Sequence, residues 1–275
     1  MRSLSVSFPA LHCTMFSVRR SIATRCLGMP LRKAIESAAR MGADGIQLDV
    51  RFELNARELS DTGRRQFLHS LGQFNLQLGS TFLPTRSALY DKTNLDARIS
   101  GVRGAMEFTR QLGADLLMLS AGPIPDEESD EYTTLVEVLN ALAEHGNHVG
   151  TTLCLRSGSS SPDELTKLID RITTGPLGID FDPAAAMASG RDALGDYSTL
   201  HKRVRHVRGV DSALASENSH VEVGLGLGRV PWMELMVMLQ EARYDGWVAV
   251  ERTIGSTKSA DIAGGLELLK SYLPA

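Results

Sequence analysis

Cysteine is scarce in this chain. Cys13, Cys26 and Cys154 are the three, unevenly spaced and without a C-x-x-C pair. That argues against a disulfide framework or a structural zinc site, and suits a reducing cytoplasm. No run of 18 apolar residues occurs, so no membrane span is expected. Positive charge is not in excess: the formal net charge is -4, so nothing in bulk invites nucleic acid or an acidic membrane. No G-x-G-x-x-G follows an early strand, which removes the usual dinucleotide fingerprint. One absence is local. Residues 1–35 hold six basic side chains (Arg2, Arg19, Arg20, Arg25, Arg32, Lys33) and no Asp or Glu, leaving 23 basic against 33 acidic groups in the remainder. A basic, acid-free N-terminus can be a targeting segment. Here the apolar stretch from Leu4 to Phe16 is interrupted by Pro9 and His12, a poor signal-peptide core. Residues 1–18 are therefore expected to be an extension outside the folded domain, which would span residues 19–275.

What is present is a repeating cycle of short apolar runs and longer amphipathic ones. Leu31 to Met41 reads as a helix, with Ile35, Ala38 and Ala39 on one face and Gly42 placed as a C-cap. Gly45 to Val50 then reads as a strand. The cycle repeats through strands near Leu76–Phe82, Asp115–Ser120, Thr152–Leu155, Leu177–Phe181, Val204–Val207 and Trp247–Val250. Helices fall near Leu59–Phe74, Leu95–Leu112, Glu131–His145, Ala193–Lys202, Trp232–Ala242 and Ser259–Leu273. Another opens at Ser161-Pro162-Asp163-Glu164, a Ser cap with Pro in the first turn. Ser21–Thr24 can serve as the first of eight strands. Both a closed barrel and an open doubly wound sheet satisfy this alternation. The eight-fold count, and 275 residues, favour a single-domain α/β protein, a (β/α)8 TIM barrel. Gly224, Gly226 and Gly228 alternate before a late helix with no strand directly ahead of them, and read as a turn.

In such a barrel the active site lies at the C-terminal ends of the strands. The polar residues there are Gln47, Asp49 and Arg51; Thr81 and Arg86; Ser120; Arg156; Asp180 and Asp182; His206, Arg208 and Asp211; and Glu251 with Arg252. Carboxylate and imidazole clusters hold divalent ions or move protons. Arginine forks recognise carboxylate or phosphate. Each residue also has a plainer reading. Asp182 can cap a helix after Pro183, His206 can be a hydrogen-bonded core histidine, and Arg156 and Arg208 can pair with Asp180 and Glu251 as a structural network.

Five segments fall in an order that resembles one superfamily. They are Asp44–Leu48, Leu177–Pro183, His206–Asp211, Gly226–Trp232 and Tyr244–Glu251. Together they resemble the xylose-isomerase-like barrels, which include sugar isomerases, sugar epimerases, inosose dehydratases and an apurinic endonuclease; the likeness covers roughly residues 20 to 273. In the sugar epimerases of that group a Glu, an Asp, a His and a Glu ending strands five to eight hold one divalent metal. The two glutamates also exchange the substrate proton. The resemblance places Asp182 on the Asp and Glu251 on the last Glu. The other two ligands fall on Arg156 and Arg208, a common Lys falls on Val210, and a strand-two Glu falls on Gln47.

A guanidinium offers no lone pair and stays charged at any working pH. The resemblance thus implies a remnant metal site at Asp182 and Glu251, with no cofactor expected or, if one is held, a single Mn, Mg, Co or Zn ion. It implies a sugar, cyclitol or sugar-acid isomerase or epimerase-like protein with Glu251 as the catalytic base. Arg156, Arg208, His206, Asp49, Arg51, Asp180 and Arg86 would then contact a small polar or anionic carbohydrate-like ligand. The alternative is a non-catalytic barrel that binds a small anionic ligand or serves as a subunit of a complex. A homo-oligomer is compatible with either. Nucleic-acid repair is disfavoured, because the His-rich, several-metal ligand set of the endonuclease branch is missing.

Overall fold

The computed structural model describes residues 18–273 except 57, 217 and 218. Almost all of the expected extension, residues 1–17, lies outside the described residues; Val18 is buried against the core.

Eight parallel strands close a barrel. In chain order they are β1 (Arg19–Ala23), β2 (Gly45–Asp49), β3 (Gln77–Phe82), β4 (Leu116–Leu119), β5 (Thr152–Arg156), β6 (Leu177–Phe181), β7 (Val204–Gly209) and, after a two-stranded hairpin, β10 (Trp247–Val250). Around the barrel they run β1-β10-β7-β6-β5-β4-β3-β2, and the ring is completed by parallel pairing of β1 with β2. Buried on both faces, such strands read as near-continuous apolar runs, and Leu-Leu-Met-Leu in β4 and Trp-Val-Ala-Val in β10 do so.

Helices cover the outside: α1 (Leu31–Arg40), α2 (Asp61–Gln73), α3 (Leu95–Gln111), α4 (Asp130–Val149), α5 (Pro162–Asp170), α6 (Pro183–Ala188), α7 (Ala193–Leu200), α8 (Trp232–Glu241) and α9 (Lys258–Ser271). Their ends follow local chemistry. Ser161 caps α5 in a full capping box with Glu164, behind Pro162 at the first turn. Gly150 ends α4 in the left-handed conformation. The lower end of the barrel is plugged by Trp247, which is buried. Its ring needs the glycines opposite: a Cβ on Gly79 would lie 2.5 Å from it.

One feature departs from the sequence pattern. The β7–α8 connection carries an antiparallel hairpin of β8 (Asp211–Ser216) and β9 (Ser219–Val223) outside the barrel. Its sequence, rich in Ser and Ala, has no clean apolar alternation. It is held instead by contacts from both strands at its base, where Asp211 pairs with Val223 and Ser212 with Glu222. The Asp211 carboxylate accepts from the amides of Ser212, Gly226, Gly228 and Val230, at 2.8–3.2 Å. The Glu222 carboxylate accepts from Arg252 and Thr253. β9 ends directly ahead of Gly224, where no strand was expected, but the Gly224–Gly228 segment is still a turn, wrapped around an internal carboxylate. A Cβ on Gly228 would sit 2.1 Å from Asp211 Oδ1, so only glycine fits there.

Candidate active site

Side chains alternate along a strand, so residues two apart share a face. From Trp247 at the bottom, β10 therefore sends Ala249 and then Glu251 into the barrel. β7 sends His206 and then Arg208, and β6 sends Asp180 and then Asp182. Two polar layers result, stacked under the C-terminal mouth.

In the upper layer the Arg208 guanidinium lies between two carboxylates. Its Nε and Nη2 donate to Glu251 at 3.2 and 2.5 Å, and its Nη1 donates to Asp182. Glu251 also pairs with Arg25 at 2.8 Å. Arg208, Asp182 and Glu251 are all buried. Burial opposes charge on Glu251, but Arg208 and Arg25 outweigh it and hold the carboxyl well below the usual carboxylate range. Burial likewise opposes charge on Arg208, and the two carboxylates overcome it and hold its proton more tightly than usual. Glu251 is therefore a weak proton acceptor here. Asp182 also caps α6, its Oδ1 accepting from the Ala185 amide at 2.9 Å, so its plainer reading holds alongside its place in the mouth.

In the lower layer His206 Nδ1 meets Asp180 at 2.7 Å and its Nε2 meets the Gln47 amide nitrogen at 3.2 Å. A carboxylate on Nδ1 and an amide donor on Nε2 place the ring proton on Nδ1. Gln47 also donates to Ser80 at 3.1 Å and accepts from Arg25 at 2.6 Å. His206 is fully buried, so it is a bonded core histidine that braces Arg25 through Gln47. Arg156 differs. Its Nε reaches Asp180 only at 3.9 Å and is a buried nitrogen without a hydrogen-bond partner. Burial, then the neighbouring Arg208, lowers its pKa. Its guanidinium lies 5.2 Å from the centroid of the Phe82 ring, and that of Arg25 lies 4.3 Å from it.

The structure thus brings Arg156, Asp180, Asp182, His206, Arg208 and Glu251 together. Asp49 stands apart: its Oδ1 accepts from the amides of Arg51 and Phe52 and shapes the β2–α2 turn. Arg51 and Arg86 line a separate cavity beside the mouth. Arg25 joins the site unannounced. It follows directly on the Ser21–Thr24 run, and position after a barrel strand was the signal available. Ser157, whose hydroxyl accepts from the Asp182 amide at 2.9 Å, carried no pattern that marked it.

Residues 35–272 match the xylose isomerase-like TIM barrel family. The chain belongs to that family. An inosose dehydratase of Lacticaseibacillus casei is 24% identical over 169 residues, 55% of this chain and 56% of that protein. A protein of Methanocaldococcus jannaschii is 23% identical over 185 residues, 62% and 61% of the two chains. The chain thus spans roughly three-fifths of these curated relatives. Among solved structures, a xylose isomerase domain protein from Planctomyces limnophilus superimposes with a TM-score of 0.79 at 23% identity, covering 86% of this chain and 91% of that one. A probable 3-DHS dehydratase from Bacillus anthracis does so with a TM-score of 0.77 at 14% identity, over 92% and 99%.

A family metal does not fit the side chains of this mouth. Among the described residues no cluster of three or more His, Cys, Asp or Glu could hold an ion, and the carboxylates of Asp182 and Glu251 are both bonded to Arg208. A dication about 4 Å from one guanidinium would meet about 8 kcal/mol of repulsion at an effective dielectric of 20.

Proposed function

We propose that this chain is a metal-independent member of the family whose mouth binds a small polar or anionic carbohydrate-like ligand, without the two-glutamate proton exchange of the sugar epimerases. The observation that carries this reading is the Arg208 guanidinium bridging Asp182 and Glu251. It supplies fixed positive charge where a dication would otherwise be needed, and it leaves Glu251 a poor base. Arg156, with its partnerless Nε, is the group left to greet an anionic ligand. The buried free thiols of Cys26 and Cys154 support a reducing compartment.

Calorimetric titration with Mn tests the metal half of this reading. Unmodified protein should bind no Mn in the micromolar range, while the double variant Arg156→Glu, Arg208→His should gain binding. Micromolar binding by the unmodified protein would overturn it. The likeness to an inosose dehydratase keeps a sugar- or cyclitol-converting enzyme as a second reading. Turnover of an inosose or a ketohexose by metal-stripped protein, lost in Glu251→Gln, would favour that reading.

A further inference from the structure

Beside the mouth, between the β2–α2 turn and the loop joining β3 to α3, lies a cavity of about 570 Å³. Its charged lining is Arg51, Arg86, Arg98 and Asp91. Two of these are already used. Arg98 donates to the carbonyls of Asp91 and Thr93 and stands 3.7 Å from the Asp91 carboxylate, stitching the loop together. Arg51 and Arg86 are exposed, and neither guanidinium has a hydrogen bond or ion pair among the described residues. Two unpaired positive charges therefore face one space. The loop bearing Arg86 is pinned, since Thr85 donates to the Ser120 carbonyl at 2.9 Å and the Leu89 amide to that of Ala121 at 2.8 Å. The same cavity meets the start of α3 at Asn94 and Ala97, where no side chain caps the helix and the helix end adds partial positive charge.

In α/β barrels phosphate groups are frequently held by the loops after the seventh and eighth strands. Here the glycine loop before α8 gives its amides to Asp211 instead, so that place is filled by the chain's own carboxylate. We propose that the Arg51–Arg86 cavity is a phosphomonoester site, seating the dianion of a sugar phosphate. Two unpaired guanidinium groups match a dianion in charge, and the Arg fork matches its oxygens. The phosphate part stands on this cavity alone; the sugar part rests on the reading of the mouth given above.

Calorimetry with inorganic phosphate, fructose 6-phosphate and acetate separates the two. Inorganic phosphate should bind, and Arg51→Gln with Arg86→Gln should weaken it by at least about tenfold, as loss of charge-assisted hydrogen bonds implies, with the melting temperature unchanged because both side chains are exposed. Absence of phosphate binding, indifference to the double variant, or acetate binding as tightly as phosphate would each overturn the site. Fructose 6-phosphate binding more tightly than phosphate, and losing that advantage in Arg156→Ala, supports cavity and mouth together. Equal affinity for the two upholds the cavity and refutes the carbohydrate reading of the mouth.

Discussion

Replacing Arg208 by Met tests the central ion network, because it removes the charge while keeping much of the side-chain volume. Arg208 is the cation that Asp182 and Glu251 share. On its loss Glu251 keeps Arg25 at 2.8 Å, whereas the Asp182 carboxylate, among the described residues, keeps its capping bond to the Ala185 amide at 2.9 Å and the more distant charge of Arg156. Breaking a buried pair from one side costs about 3–5 kcal/mol, because a charge is left buried without its partner. For a barrel of this size that corresponds to a fall in melting temperature on the order of 10 °C. The loss should also depend on pH with a definite sign. The folded-state pKa of Glu251 is depressed, with Arg208 and Arg25 outweighing the burial that would raise it. The stability it contributes is therefore fully present above the unfolded value of about 4.3. That stability disappears as pH falls below it. The Met variant has less of this contribution to lose. Its deficit should be largest near pH 7 and should narrow as the pH is taken below about 4. Urea unfolding of both proteins from pH 7 to 3.5 measures this. A deficit under about 1 kcal/mol at pH 7, or one independent of pH, would refute the argument.

Two further expectations concern the barrel itself. Gly79→Ala places a methyl group 2.5 Å from the Trp247 ring, an overpacking that should cost about 1–3 kcal/mol in urea unfolding; an unchanged midpoint would show that the floor of the barrel can relax. Burial, with Glu251 beside it, pushes the Cys26 thiol up to about 11, so peptide mapping after iodoacetamide treatment at pH 8 should find Cys26 unmodified in native protein and modified in urea.

Much of the barrel is legible in the order of residues, because each strand and helix announces itself locally. Parallel strands buried on both faces must be apolar runs, and surface helices must alternate polar and apolar faces. Ser161-Pro162-Asp163-Glu164 and Gly42 act within a few residues of themselves, so they need no distant context. The β8–β9 hairpin was hidden for the opposite reason. It stands on Asp211 reaching Gly226, Gly228 and Val230, and on Glu222 meeting Arg252 and Thr253.

The candidate site divides along the same line. Strand period puts Asp180 with Asp182, and His206 with Arg208, on shared faces, and the family resemblance marks Asp182 and Glu251 as the carboxylates to watch. The partners of these groups were decided only by closure of the barrel. That Arg208 bridges two carboxylates rather than facing the mouth, that His206 is spent on Asp180 and Gln47, and that Arg25 joins Glu251 depend on distances between strands up to 226 residues apart in the chain, the separation of Arg25 from Glu251. Charge and residue type can be read one position at a time, but an ion pair is a property of two positions. Residue type and strand position mark most of the charges at the mouth, Arg25 excepted, and closure of the barrel settles which of them cancel.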